Sequence, residues 1–253
     1  GVTLTVWMHA YITGFMGDAV EMNARFTYGH VKIMSRGYAE EAEMRPIDLA
    51  LAGTDELIMK LRAEFPGTDW TARILFGGLV DVPGKERETR AQGQVLGLGI
   101  DLLSPGSTEP DRLNLRKSVV KGRMPEQNGE ILISNSFADK LKVIPGDTVT
   151  LISTTMEGSM TMYNLKISGT LVFGVENMDR GTMIADLKDV QQALQMEDAA
   201  AEITGFFREG FYNHELATEI AGKFNREYPS DTGELTPVMK TLSQQGTMGT
   251  YVD

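Results

Sequence analysis

Residues 54–67 read TDELIMKLRAEFPG, and what this stretch is, and where it recurs, sets the organisation of the whole chain. A threonine at position 54 can accept from the free N–H groups of a first helical turn, and Asp55 and Glu56 suit the positive end of a helix. Leu57, Leu61 and Phe65 fall at i, i+4 and i+8, one apolar stripe, and Pro66-Gly67 stops the helix. Upstream, His30–Ser35 alternates apolar and polar residues, the signature of a half-buried strand. A long connection over 37–53, with Pro46 inside it, separates strand from helix. Downstream, Trp70–Leu75 and Leu79–Val82 read as extended. The same order recurs near the other end. Ala200–Phe207 is extended, Asn213 can cap HELATEIAGKFNREY (214–228), and Leu216, Ile220, Phe224 and Tyr228 are spaced by four before Pro229. Glu234 onward is extended again. Both helices open with Glu-Leu. Coincidence is the competing explanation, since Glu-Leu is common and many helices end in proline.

Two strand–helix–strand units predict an α+β fold with a ferredoxin-like split βαβ domain formed by both chain ends. The middle differs. Gln92–Ile100 is extended and 101–128 is loop-like, with Pro105, Pro110 and Pro125. Short strands are expected at 130–133, 148–152, 165–173 and 182–185, with small helices at 136–141 and from 187 to about 196. Asp186, with Asp189 three residues later, reads as a capped helix start. The economical layout is a host lobe of residues 1–93 and 198–253 with an inserted β-rich lobe, 94–197, that enters and leaves the host at neighbouring points. Residues 4–26 carry helical spacing at Val6, Ala10, Phe15, Val20 and Phe26, weakened by Gly14 and Gly17. Trp7 and Phe15 read as packing, and the tail resumes helical spacing after 238.

With 253 residues and 42% apolar content the chain can bury a sizeable core. Its 24 basic and 35 acidic residues give a net charge of −11, which speaks against a nucleic-acid partner or a basic membrane-surface patch. The absence of cysteine excludes disulfides, thiol catalysis and thiolate zinc sites. No run reaches the roughly 18 apolar residues of a spanning helix; Val2–Val20 comes nearest but is broken by Thr3, Thr5, His9, Thr13 and Asp18. The sequence opens at Gly1 in mid-pattern, as though cut from a longer protein, although a removed leader or a tag scar would look the same.

Chemistry is hard to find. His9, His30 and His214 have no partner at a metal-ligand spacing and read as surface or structural. There is no G-x-S-x-G, S-x-x-K or phosphate-loop pattern, and Gly97-Leu98-Gly99 leads into Asp101 and loop rather than a helix. Ser136 and Asp139 are explained by helix capping. Asp179-Arg180 and Glu86-Arg87-Glu88 read as solvated loops. The enzyme expectation is therefore negative: no catalytic, cofactor-binding or metal residues are assigned. What stands out is methionine, 15 in all. Met156, Met160 and Met162 sit with Glu157 and Ser159 on a hairpin arm between the strands at 148–152 and 165–173, with Glu157-Gly158 near its tip. Packing of the arm on its own domain, an adaptable surface for a protein partner and a thioether site for Cu(I) all remain open for them.

The segment GEILISNSFADKL (129–141) followed by PGDTVTL (145–151) resembles the extracytoplasmic core domain of FtsX-like, MacB-type ABC transporter permeases, including the lipoprotein-releasing branch. LKISGTLVFGV (165–175) with DLKDVQQAL (186–194) continues the resemblance over about 65 residues. The flanks agree more loosely. The resemblance implies one membrane helix before Gly1 and three after Asp253, with 4–26 and 239–253 as side-by-side stalks. It implies a domain outside the cytoplasmic membrane, in the periplasm, and a mechanical rather than catalytic role. ATP would be hydrolysed by a separate cytoplasmic ABC ATPase subunit or domain, and a second permease and an extracytoplasmic protein would be the partners. The work done would be export, lipoprotein release or activation of a partner. The ATPase contact would lie outside this fragment. The arm Ser153–Asn164 is shorter than the lipoprotein-releasing branch leads one to expect, which leaves the cargo open. A soluble periplasmic ligand-binding or adaptor module, and a hydrolase with a dispersed site, are the competing readings.

Overall fold

A computed structural model describes residues 24–84, 88–174, 176–228 and 233–246. The elements in chain order are β1 (Val31–Ser35), α1 (Arg36–Glu40), β2 (Leu51–Ala52), α2 (Thr54–Glu64), β3 (Thr68–Pro83), β4 (Thr89–Ile100), α3 (Glu109–Arg112), α4 (Leu115–Ser118), β5 (Val119–Gly122) and β6 (Glu130–Ser134). They continue as α5 (Asn135–Leu141), β7 (Thr148–Thr154), β8 (Met160–Leu171), α6 (Glu176–Asp179), β9 (Thr182–Asp186), α7 (Leu187–Leu194), β10 (Ala199–Ala200), β11 (Glu202–Phe207), α8 (His214–Glu227) and β12 (Pro237–Thr241). The fold is mixed α+β.

β3 organises it. The two extended runs expected at 70–75 and 79–82 form one strand of 16 residues, continuous through Gly77-Gly78. Its first part, 68–73, pairs antiparallel with β11, which pairs with β1, which pairs with β12. In this order, β12-β1-β11-β3, α2 lies in the connection from β1 to β3, and α8 links β11 to β12. Val31, Ile33, Trp70, Ala72 and Ile203 share one core with Leu61 of α2 and Phe224 of α8, so both helices cover the same face.

The second part of β3 pairs on one side with β4 and on the other with β7. β4 pairs with β9, β9 with β6, β6 with β8, and β8 with β7. These pairings close a ring of six strands, β3-β4-β9-β6-β8-β7. Closure leaves the ring strands no mutual edge to protect. Phe76, Val80, Val95, Ile133, Leu151 and Ile167 are buried, together with Phe137 of α5 and Val190 and Leu194 of α7. Glycines on β4 make room: a Cβ at Gly97 would overlap the Phe76 ring, and one at Gly99 would meet Val190 Cγ2 at 2.8 Å. The apolar cluster runs unbroken from Val31 and Met239 to Ile167. A second one, Ile100, Leu113, Leu115, Leu132, Leu171 and Ile184, is covered by the 101–119 segment, where the sequence shows only loop and the structure places α3 and α4.

Three caps differ from expectation. Ser136 lies inside α5, whose cap position is Ser134, and its hydroxyl donates to Asp179 O. Thr54 is the first residue of α2 and not its cap. The cap position is Gly53 at φ 67°, and a carboxylate from a distant loop does the capping, with Asp198 Oδ1 accepting from Asp55 N at 2.8 Å. At α7, Asp186 caps as expected, accepting from Lys188 N, but Asp189 does not reach back. It turns to the 128–129 loop and accepts from Gly129 N at 2.7 Å. Asn213 caps α8 through Leu216 N.

Candidate functional site

The stretch that carries the family resemblance is a piece of scaffold. Glu130 is buried at the start of β6, accepts from Arg123 through both oxygens at 2.7 Å, and takes Glu126 N at 3.0 Å. Arg123 holds its carboxyl below the usual range. Gly129 at φ 80° and Gly146 at φ 104° make turns that a side chain would strain. Asp147 closes the second by accepting from Ile144 N. The side chains of this motif are spent on folding.

The hairpin expected between the strands is present as β7 and β8, with its tip at 155–159. The structure splits the five tip residues. Met156 is half-buried against the main core and its N–H donates to Leu194 O at 2.9 Å. Glu157 and Ser159 are exposed at the turn. Met160 and Met162, 75% and 67% exposed, stand two apart on one face of β8. Opposite them are Thr154 and Ile152 of β7; Ile152 is opposite Leu79 of β3, and two residues before Leu79, Gly77 is opposite Leu96 of β4. Leu96 is 49% exposed. The outer face of the ring thus carries an uncharged, partly apolar strip beside the tip, bordered by Asp81, Gln92, Thr150 and Asn164. Leu96 and Leu79 are members of it that the sequence did not single out.

The two histidines among the described residues, His30 and His214, make structural contacts. His30 is buried among Phe206, Phe207 and Tyr212, and its Nδ1 accepts from Phe207 N at 2.9 Å. His214 lies beside the Tyr212 hydroxyl at 3.3 Å. Among the described residues no group of three His, Asp or Glu could hold a metal ion, and no helix is long and apolar enough to cross a membrane. Two open clefts, about 640 Å³ beside Arg112 and Phe206 and about 660 Å³ between α2 and α7, contain none of the groups whose titration is clearly shifted. Those groups lie apart. Burial lowers Lys32 and raises Tyr38 and Asp189, and Tyr163 is raised in the same way.

A buried charge network escaped the sequence reading. On the sheet face opposite α2 and α8, Lys32 pairs with Glu202 at 2.6 Å, both nearly inaccessible. Next to it, Arg73 Nε donates to Glu109 Oε2 at 2.8 Å, with exposures of 0% and 1%. Glu109 also pairs with Arg112, which pairs with Asp69 and stacks on Phe206 with its guanidinium carbon 4.0 Å from the ring centre. The available signal was a single charge inside an apolar strand, Lys32 in VKIMS and Arg73 in WTARILF.

The described chain ends meet beside this network. Ala24 and Leu242 are buried together, with Tyr28 and Tyr212 packed against them. Gln245 Nε2 donates to Tyr28 O at 3.3 Å, and a Cβ on Gly246 would come within 2.6 Å of the Tyr28 hydroxyl. A turn of helix at Ala24–Tyr28 is the only part of the first expected helix among the described residues. The rest of 4–26 with His9, Trp7 and Phe15, Glu86 and Arg87 of the charged loop, Pro229, and the tail beyond 246 lie outside them.

No family model and no curated protein matches the sequence. Solved structures do match the fold. The extracellular domain of the noncanonic ABC-type transporter YknZ from Gram-positive bacteria superposes with a TM-score of 0.52 at 16% identity, covering 83% of this chain and 99% of that one. The periplasmic region of MacB from Actinobacillus actinomycetemcomitans gives 0.55 at 13% identity, covering 89% and 92%. The chain has the fold of these extracytoplasmic ABC-transporter domains. At such identities the likeness is one of architecture, and it agrees with the resemblance carried by residues 129–194.

Proposed function

We propose that the chain is the extracytoplasmic domain of an FtsX-like, MacB-type ABC transporter permease. It stands in the periplasm or its equivalent and passes movement between membrane segments and a partner outside. The observation that carries this reading is the convergence of Ala24–Tyr28 with Leu242–Gly246 on one flank. A body whose two ends leave side by side can sit between two membrane segments and respond to their relative motion. The shared fold with YknZ and MacB domains supports it. On this reading the sheet β12-β1-β11-β3 with α2 and α8 is a ferredoxin-like split βαβ lobe from both chain ends (1–93 and 198–253). The ring is the inserted lobe (94–197), with β3 shared between them.

The domain itself is non-catalytic and holds no cofactor. ATP is hydrolysed by a cytoplasmic ABC ATPase subunit or domain, and a second permease completes the transporter. The strip at Met160, Met162 and Leu96 is the surface offered to an extracytoplasmic protein, for export, lipoprotein release or activation of that partner. Purification of the gene's complete product from membranes tests the reading. An ATP-binding subunit or domain is expected with it, as are apolar stretches of about 20 residues flanking 1–253. A reading frame that ends at Asp253 would sink the idea.

A further inference from the structure

The turn Ala24–Tyr28 presents its carbonyl end to the sheet, and two buried cations grip it. Arg73 Nη1 donates to Arg25 O at 2.9 Å and to Phe26 O at 3.5 Å. Lys32 Nζ donates to Thr27 O at 2.5 Å. The last carbonyls of a helical turn lack partners of their own and carry partial negative charge. Buried, they need these donors. Each cation is balanced by a buried acid: Lys32 by Glu202, and Arg73 by Glu109 through two bonds of 2.8 and 3.2 Å. Glu109 belongs to α3, 36 residues further along the chain, and reaches the turn through Arg73.

We propose that this ladder is a latch that makes the turn Ala24–Tyr28 and α3 one mechanical unit, so that displacement of the chain where it enters at Ala24 is passed to the 108–115 segment. The physical reason is that the Arg73 rung, which joins the turn to Glu109, cannot open at one end alone. Pulling the turn away strips acceptors from Arg73, whose remaining hydrogen-bond acceptor is Glu109. Removing the charge of Glu109 leaves Arg73 buried without its hydrogen-bonded anion, since its cross-strand neighbour Glu202 is held by Lys32, and the cheapest relief is to hydrate Arg73 by releasing the turn. Apolar contacts alone would not link the two sites in this way. The use of the latch in transport rests on the proposed function above; the coupling between turn and α3 does not.

Amide hydrogen exchange on the whole chain, read by mass spectrometry, tests it. In Glu109→Gln, peptides over 24–30 are expected to exchange about 10-fold faster or more, while peptides from β6 and β9 keep their protection. Arg116→Met removes a solvent-exposed pair with Asp111, 3.4 Å apart and adjacent to α3, and is expected to change neither. Loosening confined to 107–115 in Glu109→Gln, or loosening of every peptide by one factor, overturns the latch. Should Glu109→Gln not fold, the unmodified protein in low urea gives the same answer. Peptides 24–30 and 108–115 are expected to open in one shared step below global unfolding, and two separate steps overturn the proposal. A failure here leaves the ABC-permease reading standing, and loss of that reading leaves an observed latch standing.

Discussion

Glu130 and Asp189 are both buried carboxylates, yet they respond to pH in opposite senses. Arg123 holds Glu130 below its ordinary value of 4.5. Its contribution to stability is therefore complete above about pH 4.5 and is lost as pH falls through the lower folded value. Burial raises Asp189 above its ordinary 3.8, so it destabilises the fold increasingly as pH rises from 3.8 through the folded value. Glu130→Gln is expected to lower stability by about 1–3 kcal/mol at pH 7, with the deficit shrinking below about pH 4.5. Asp189→Asn is expected to gain on the parent protein as pH rises from 3.8. Urea unfolding across pH 3–7 reads both slopes, and a pH-independent difference for Glu130→Gln would refute the first. Gly97 offers a steric counterpart. The Phe76 ring lies where its Cβ would be, so Gly97→Ala is expected to cost about 1–3 kcal/mol. In a Phe76→Leu background that cost should fall, which a double-mutant cycle by thermal unfolding measures.

The hairpin β7–β8 separates two uses of methionine that look alike in the sequence. Met160 and Met162 alternate outward on a strand, whereas Met156 folds back where its N–H meets the end of α7. Replacing Met160 and Met162 together by serine is expected to change stability by less than about 0.5 kcal/mol. Met156→Ser is expected to cost about 1–2 kcal/mol, a part of what a fully buried methionine would. Denaturant melts of the two variants decide this, and equal losses would remove the distinction. The difference shows where reading by pattern stops. Strand alternation and local caps, such as Asn213 and Asp186, are short-range signals and were legible. The cap of α2 was not, because Asp198 lies 143 residues from the N–H it accepts. Ring closure was invisible for the same reason, since β3 meets β7 only through pairs such as Val80 with Leu151. The charge ladder was masked by the rule that strands in a core are apolar. Lys32 and Arg73 break that rule singly, and Arg73's partner Glu109 hides in a proline-rich stretch.

Convergence of the chain ends is a property of the whole molecule and can be tested without any membrane. Ala24 packs on Leu242, and Gly246 sits against Tyr28, so the gap from 24 to 246 is short. A Gly/Ser linker of about eight residues spans on the order of 15 Å and should join them without strain. New ends can be opened between Glu157 and Gly158, both exposed at the hairpin tip, where a break disturbs only the local turn from Thr155 to Ser159. Such a circular permutant of 24–246 keeps every strand pairing of the ring and of the sheet β12-β1-β11-β3. It also turns the two converging segments from free ends into a closed loop, whose closure entropy grows only slowly with length. It is expected to unfold cooperatively, with stability within about 2 kcal/mol of the unpermuted 24–246 chain. Permutants opened instead inside β3, for example between Gly77 and Gly78, should fail, because that strand belongs to both the sheet and the ring. Calorimetry gives the comparison directly. A tip permutant that does not fold while the linear chain does would mean that the ends cannot be bridged, and the proposed seat between two membrane segments would lose its geometric basis.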